Sequence, residues 1–212
     1  MSTLDLQEQE QVDALKSWWR ENGKWVLAAV LMTLIGFAGV QFWKNHQAQQ
    51  AVESAKLFAE VMKQTQSNDP KRVNDAVAAL VDKFGSSAYA PRAQLVAVET
   101  NLQANDIARA KTQLQWVVEH AGEAGLQDTA RLKLASILLD EKKFDEALAQ
   151  LNAAHPDAFT GLYADLKGDV LSAQGKNEEA KAAYKQALDK IEPKSLYRNL
   201  VQLKLDGLGD AK

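Results

Sequence analysis

The sequence predicts an all-α protein, with a single N-terminal transmembrane helix followed by a solenoid of repeated helix pairs. Three observations predict it. One stretch near the N-terminus carries no charge over 19 residues. The rest of the chain is dominated by Ala, Leu, Gln, Lys and Glu, without alternating β-branched runs. Small residues recur along it at nearly constant spacing. The 212 residues fit one ordinary domain or two small ones. With 25 Lys+Arg against 28 Asp+Glu, the formal charge of −3 argues against a nucleic-acid binder, whose basic face normally dominates. The absence of cysteine removes disulfides, thiolate metal sites, cysteine nucleophiles and the acylated cysteine of a lipoprotein.

The uncharged stretch is WVLAAVLMTLIGFAGVQFW, Trp25 to Trp43. As a helix it is about 28 Å long, close to the roughly 30 Å hydrocarbon core of a bilayer. Val26, Leu27, Val30, Leu31, Leu34, Ile35, Phe37, Val40 and Phe42 favour insertion by roughly 3–5 kcal/mol together, and no charge opposes them. Trp25 and Trp43 close the two ends, Lys24 and Lys44 stand just outside, and Trp18 and Trp19 lie about two turns earlier. That pattern is an interfacial aromatic belt with snorkelling lysines, in contact with lipid. A long acidic leader (Asp5, Glu8, Glu10, Asp13, Glu21) and the lack of a nearby small-residue cleavage site predict an uncleaved anchor. Lys16, Arg20 and Lys24 before the span outnumber Lys44 and Lys56 after it, a weak bias toward a cytoplasmic N-terminus. Ala29, Thr33, Gly36 and Val40 fall on one stripe that would let another transmembrane helix approach. Ordinary lipid-facing composition is the favoured reading of that stripe.

Beyond Lys44, punctuation sets helix ends. Asp69-Pro70 offers an N-cap and a proline at the first helical position, and Phe84-Gly85 a stop. Further breaks fall at Ser86-Ser87, Asn105-Asp106, Ala121-Gly122, Lys142-Lys143, His155-Pro156, Gly175 and Pro193. Aligning Phe144–Leu151 with Asn177–Leu188 places Ala147 and Ala180 together, with Ala135 and Gly168 in the preceding helices. Ala110 and Ala76 extend the series upstream. Four units near 34 residues resemble tetratricopeptide repeats, and Ser195–Leu205 would be the capping helix. Small residues are expected where the paired helices cross.

In such a solenoid the first helix of each pair lines a concave face. Repeat position puts Arg92, Glu99, Leu102, Leu132, Ser136, Leu139, Asp165 and Asp169 on it. Leucines among acids suit a peptide or partner helix with some basic character. No catalytic chemistry is predicted. His46, His120 and His155 have no metal-binding spacing, and phosphate-loop, dinucleotide, nucleophile-elbow and zinc-helix motifs are missing. The chain is therefore read as a non-enzyme with no cofactor and no metal.

Glu8–Val26, EQEQVDALKSWWRENGKWV, resembles the opening of the YfgM family, ancillary subunits of the bacterial SecYEG translocon. The matching run is Leu15, Lys16, Trp18, Trp19, Glu21, Asn22, Gly23 and Lys24. On the residues alone, Val12, Leu15, Trp18 and Trp19 share one helix face, and Asn22-Gly23 is expected to end that helix before the membrane. The resemblance implies a type II single-pass protein of the bacterial inner membrane. Residues 1–24 would be a short cytoplasmic amphipathic segment, 25–43 the transmembrane helix and 44–212 the periplasmic repeat domain with its capping helix. It further implies contact with the translocon and a PpiD-like periplasmic chaperone, and assistance to newly exported client proteins. Two other arrangements fit the residues: a regulatory adaptor whose cytoplasmic helix restrains a signalling protein, and an anchored receptor with its repeats in the cytoplasm.

Overall fold

The computed structural model describes residues 3–67 and 69–209, with side chains from Glu10 onward. The ends of the expected segments 1–24 and 44–212, residues 1–2 and 210–212, lie outside the described residues. The chain divides into two units after Val52.

Helix α1 (Thr3–Thr65) supplies the whole described backbone of the N-terminal unit. It does not stop at Asn22-Gly23, which corrects the expectation from sequence. Asn22 donates its amide to the Trp18 carbonyl at 3.1 Å, one turn back, so the polar side chain ties into the helix instead of leaving it. Gly23 is buried under the Trp19 indole, where a Cβ would stand 3.1 Å from the ring. A glycine costs a helix about 1 kcal/mol relative to alanine, too little to break it when good helix formers continue on both sides.

The C-terminal unit begins at Glu53, in the last turns of α1. It continues with α2 (Pro70–Phe84), α3 (Tyr89–Gln103), α4 (Ile107–His120), α5 (Ala124–Asp140) and α6 (Phe144–Leu151). A 3-10 turn, Asp157–Phe159, leads to α7 (Thr160–Ala173), α8 (Asn177–Lys190) and α9 (Leu196–Gly207). No strand occurs among the described residues. Asp69 caps α2 by accepting from the Lys71 N–H at 3.0 Å, and Asp106 caps α4 through the Arg109 N–H at 3.1 Å. The first helices of three successive pairs end alike. After α3, α5 and α7, residues Asn105, Lys142 and Gly175 take φ of 60°, 60° and 76°. The next N–H then bonds back to the carbonyl of Asn101, Leu138 or Leu171 at 2.8, 2.8 and 2.9 Å. This left-handed stop recurs because each pair must reverse direction within three residues.

Apolar burial proceeds pair by pair. Leu57, Phe58 and Val61 pack with Val73, Val77 and Leu80 of α2 and with Ala90, Ala93 and Ala97 of α3. Val98, Leu114, Val117, Leu134 and Leu138 form the central cluster, and Ala164, Leu171, Tyr184, Ala187 and Val201 the last. The expected register of the first unit is corrected by three residues. Val73, not Ala76, is the counterpart of Ala110, Ala147 and Ala180, since all four donate to the residue preceding their helix: Asp69, Asp106, Lys143 and Lys176. These positions stand 37, 37 and 33 residues apart. The tightest crossing is at Gly168, where a Cβ would fall 2.4 Å from the Tyr184 ring. The small residue expected there is a steric requirement.

Candidate functional site

The proposed inner-face residues are spread over three helices, and most are engaged within the protein. Arg92 of α3 is half-buried and makes a two-pronged pair with Glu123, the residue before α5, at 2.9 and 2.8 Å. Glu99 is exposed and accepts from Lys133 of α5 at 2.5 Å. Leu102, Leu132 and Leu139 are half-buried against the central cluster, while Ser136 is exposed. Ion pairs thus bridge neighbouring first helices and leave the leucines, Ser136 and Glu99 facing outward in part.

Asp165 and Asp169 on α7 are held differently. Asp165 is only 3% exposed, so it is not open to a partner in this conformation. It accepts from Tyr197 and, at 3.0 Å, from Lys204, both on α9. Asp169 accepts from the same ammonium at 2.7 Å and from Tyr184 at 2.8 Å. Burial opposes the charge on Lys204, but the hydrogen bonds it donates to Asp169 and Asp165 and their attraction outweigh it and raise its pKa. Burial, then hydrogen bonding to the neighbouring carboxylates, pushes the Tyr184 and Tyr197 phenols well above their usual range. A tyrosine of α7 uses the same device one helix earlier: Tyr163 donates to buried Asp128 of α5 at 2.7 Å. From sequence Asp165 and Asp169 read as open surface because their α9 partners, Tyr197 and Lys204, are 32–39 residues away. The signal that could have found them is Tyr197 and Lys204, seven apart and therefore on one face of the capping helix.

A second concavity, a groove of about 590 Å³, lies between α4, α5 and α6, with Trp116, Leu134 and Leu138 among its walls. It exists because α6 has 8 residues where α4 and α8 have 14, so it covers less of its neighbours. Trp116 is half-buried and stacks on His120 at 4.5 Å, and His155 stacks on Tyr163 at 4.0 Å. Those histidines serve packing. Among the described residues, no cluster of three or more His, Cys, Asp or Glu could hold a metal ion.

In the N-terminal unit the stretch from Trp25 to Trp43 is almost wholly exposed, which a buried core helix would not be. Trp25 is 71% exposed and Trp43 60%, with Lys24 and Lys44 exposed beside them. Trp18 and Trp19 stand next to each other, ring centroids 6.4 Å apart. Ala29, Thr33, Gly36 and Val40 are all exposed. The Thr33 hydroxyl donates to the Ala29 carbonyl at 2.9 Å, which satisfies it within its own helix.

A family model described as a tetratricopeptide repeat-like domain matches residues 16–210. Over 204 residues the chain is 34% identical to the ancillary SecYEG translocon subunit of Neisseria gonorrhoeae, covering 96% of this chain and 98% of that one. The chain belongs to the YfgM family. Proteins of the same name from Haemophilus influenzae and Escherichia coli K12 are 26% and 24% identical over 204 residues, with at least 95% of each chain covered. The repeat-like family model starts at Lys16, so its match takes in the apolar helix as well as the repeats. The YfgM relatives are named for a translocon, with no reaction in the name.

Proposed function

We propose that this chain is a non-enzymatic accessory of the SecYEG translocon, anchored in the inner membrane by residues 25–43. Its N-terminus is cytoplasmic and its repeats lie in the periplasm, where they hold a PpiD-like chaperone beside the channel and assist newly exported proteins. The observation that carries this reading is the end-to-end match to a relative so named, spanning the exposed apolar helix as well as the repeats. Tethering at a channel exit makes the role physically sensible, because it gives a modest binding surface a high effective client concentration. Trp18, Trp19, Trp25, Trp43, Lys24 and Lys44 serve as the interfacial belt. The Ala29–Val40 stripe faces lipid or a neighbouring helix. The α3 and α5 part of the inner face (Arg92, Glu99, Leu102, Leu132, Ser136, Leu139) is the partner surface, and Asp165 and Asp169 join it only where α9 moves aside.

Co-purification from gently solubilised membranes tests this, comparing the native chain with one carrying an unrelated anchor. Channel subunits and a periplasmic chaperone enriched with the native chain, and lost on exchange, support the reading; their absence refutes it. A regulatory adaptor is the second reading, favoured by the exposed apolar face of Val12, Leu15, Trp18 and Trp19. Deleting residues 1–20 would then change signalling and leave translocon association intact.

A further inference from the structure

The end of a solenoid must be covered by a helix whose outer side is polar, because no further repeat buries it. Helix α9 departs from that rule. Its inner side packs through Tyr197, Val201 and Leu205 on the last cluster, with Lys204 on the α7 carboxylates. Next to that side, Leu196, Leu200 and Leu203 are 86%, 47% and 70% exposed. At i, i+4 and i+7 they form one stripe within about 60° of the helix circumference. They are the largest exposed apolar feature of α9, and nothing among the described residues covers them.

We infer that this stripe is a self-association surface, on which α9 of a second copy packs antiparallel around a two-fold axis at Leu200. The stripe is self-complementary: with Leu200 on the axis, Leu196 of one copy meets Leu203 of the other. The charges favour the same pairing. Asp206 sits in the last turn of α9, where a negative charge opposes the helix dipole, and among the described residues its carboxylate accepts a hydrogen bond only from Gln202, at 2.8 Å. Lys194, just before α9, is exposed and unpaired among the described residues. The antiparallel arrangement brings Asp206 to the positive end of the partner's α9, beside the partner's Lys194, twice per dimer. Two 12-residue helices bury less than the roughly 1,000 Å² of a stable soluble interface. The contact is therefore weak for free copies and depends on confinement in one membrane.

Because the chain has no cysteine, single cysteines report the contact cleanly. Full-length Leu200→Cys, Leu203→Cys and Gln202→Cys variants in membranes would be treated with a short bismaleimide, since paired helices approach to about 8–10 Å between axes. Leu200→Cys is expected to give a homodimer about tenfold more abundant than Gln202→Cys, which points away from the stripe. Adding Leu196→Glu and Leu203→Glu should abolish it, with thermal melts verifying that the repeats stay folded. Equal crosslinking at positions 200 and 202, or survival of the dimer with the glutamates present, would overturn the inference. So would a Leu200→Cys product with a different polypeptide and no homodimer, which would assign the stripe to another partner.

Discussion

The helix through the anchor and the helices of the repeats use the same apolar side chains to opposite ends. Leu31 and Leu34 are 58% and 59% exposed, whereas Leu80 and Leu114 are 0% exposed. In the anchor the requirement is one-sided: length, lack of charge and a tryptophan at each end suffice, and a Cβ added at Gly36 or Gly39 would meet no other side chain within 4 Å among the described residues. In the repeats each position is judged by its neighbour across a crossing, so Gly168 cannot be enlarged without moving Tyr184. Composition decides where one helix sits. Complementarity decides whether eight can stack.

The contrast breaks most sharply with a charge. Leu34→Arg places a cation mid-span and should cost about 3 kcal/mol of insertion, roughly a hundredfold, read as loss of the protein from the membrane fraction. The same substitution at exposed Ala149 should leave the distribution unchanged. Truncation separates the regions next. Leu114→Ala should destabilise the repeat unit by about 2–5 kcal/mol in thermal or denaturant unfolding, while Leu31→Ala should leave that transition where it is. Gly168→Leu sharpens the steric half of the argument, with an expected loss of about 1–3 kcal/mol from overpacking despite leucine's better helix propensity.

Sequence legibility followed the same division. The long apolar helix was readable because its requirement is local, and so were the helix ends at Asp69, Asn105, Lys142 and Gly175, each set by its own backbone. What escaped depended on contacts far along the chain. Val73 occupies a crossing that tolerates a valine, so the alanine periodicity points to Ala76 instead. Asp165 read as surface because its counter-charge, Lys204, lies 39 residues on. Gly23 read as a stop because the covering indole of Trp19 is not visible in a pattern of glycine and asparagine. Of the candidate inner face, the α3 and α5 residues keep some outward exposure and the α7 residues are occupied by α9.

A smaller effect concerns two polar junctions inside the repeats. Asn74, Asn101 and Gln113 form a neutral amide cluster at 2.7–3.0 Å between α2, α3 and α4. The α7–α9 junction instead depends on Lys204 remaining charged and on Tyr184 and Tyr197 remaining protonated. Their folded pKa values lie above the ordinary 10.5 and 10.0, so the stabilisation is fully present below pH 10 and is lost as pH rises through the folded values. Proteolysis within α9 should therefore accelerate above about pH 10 while α2–α4 resist. Lys204→Met should remove the lysine's share of that dependence.

The most direct test of the central claim is crosslinking from a photoreactive phenylalanine placed in the full-length chain, in growing cells, at Leu34 of the anchor and at Ser136 of the inner face. The account predicts channel subunits captured from position 34 and a periplasmic chaperone or exported chain from position 136. Capture of cytoplasmic proteins from position 136, or of no channel subunit from position 34, would contradict it.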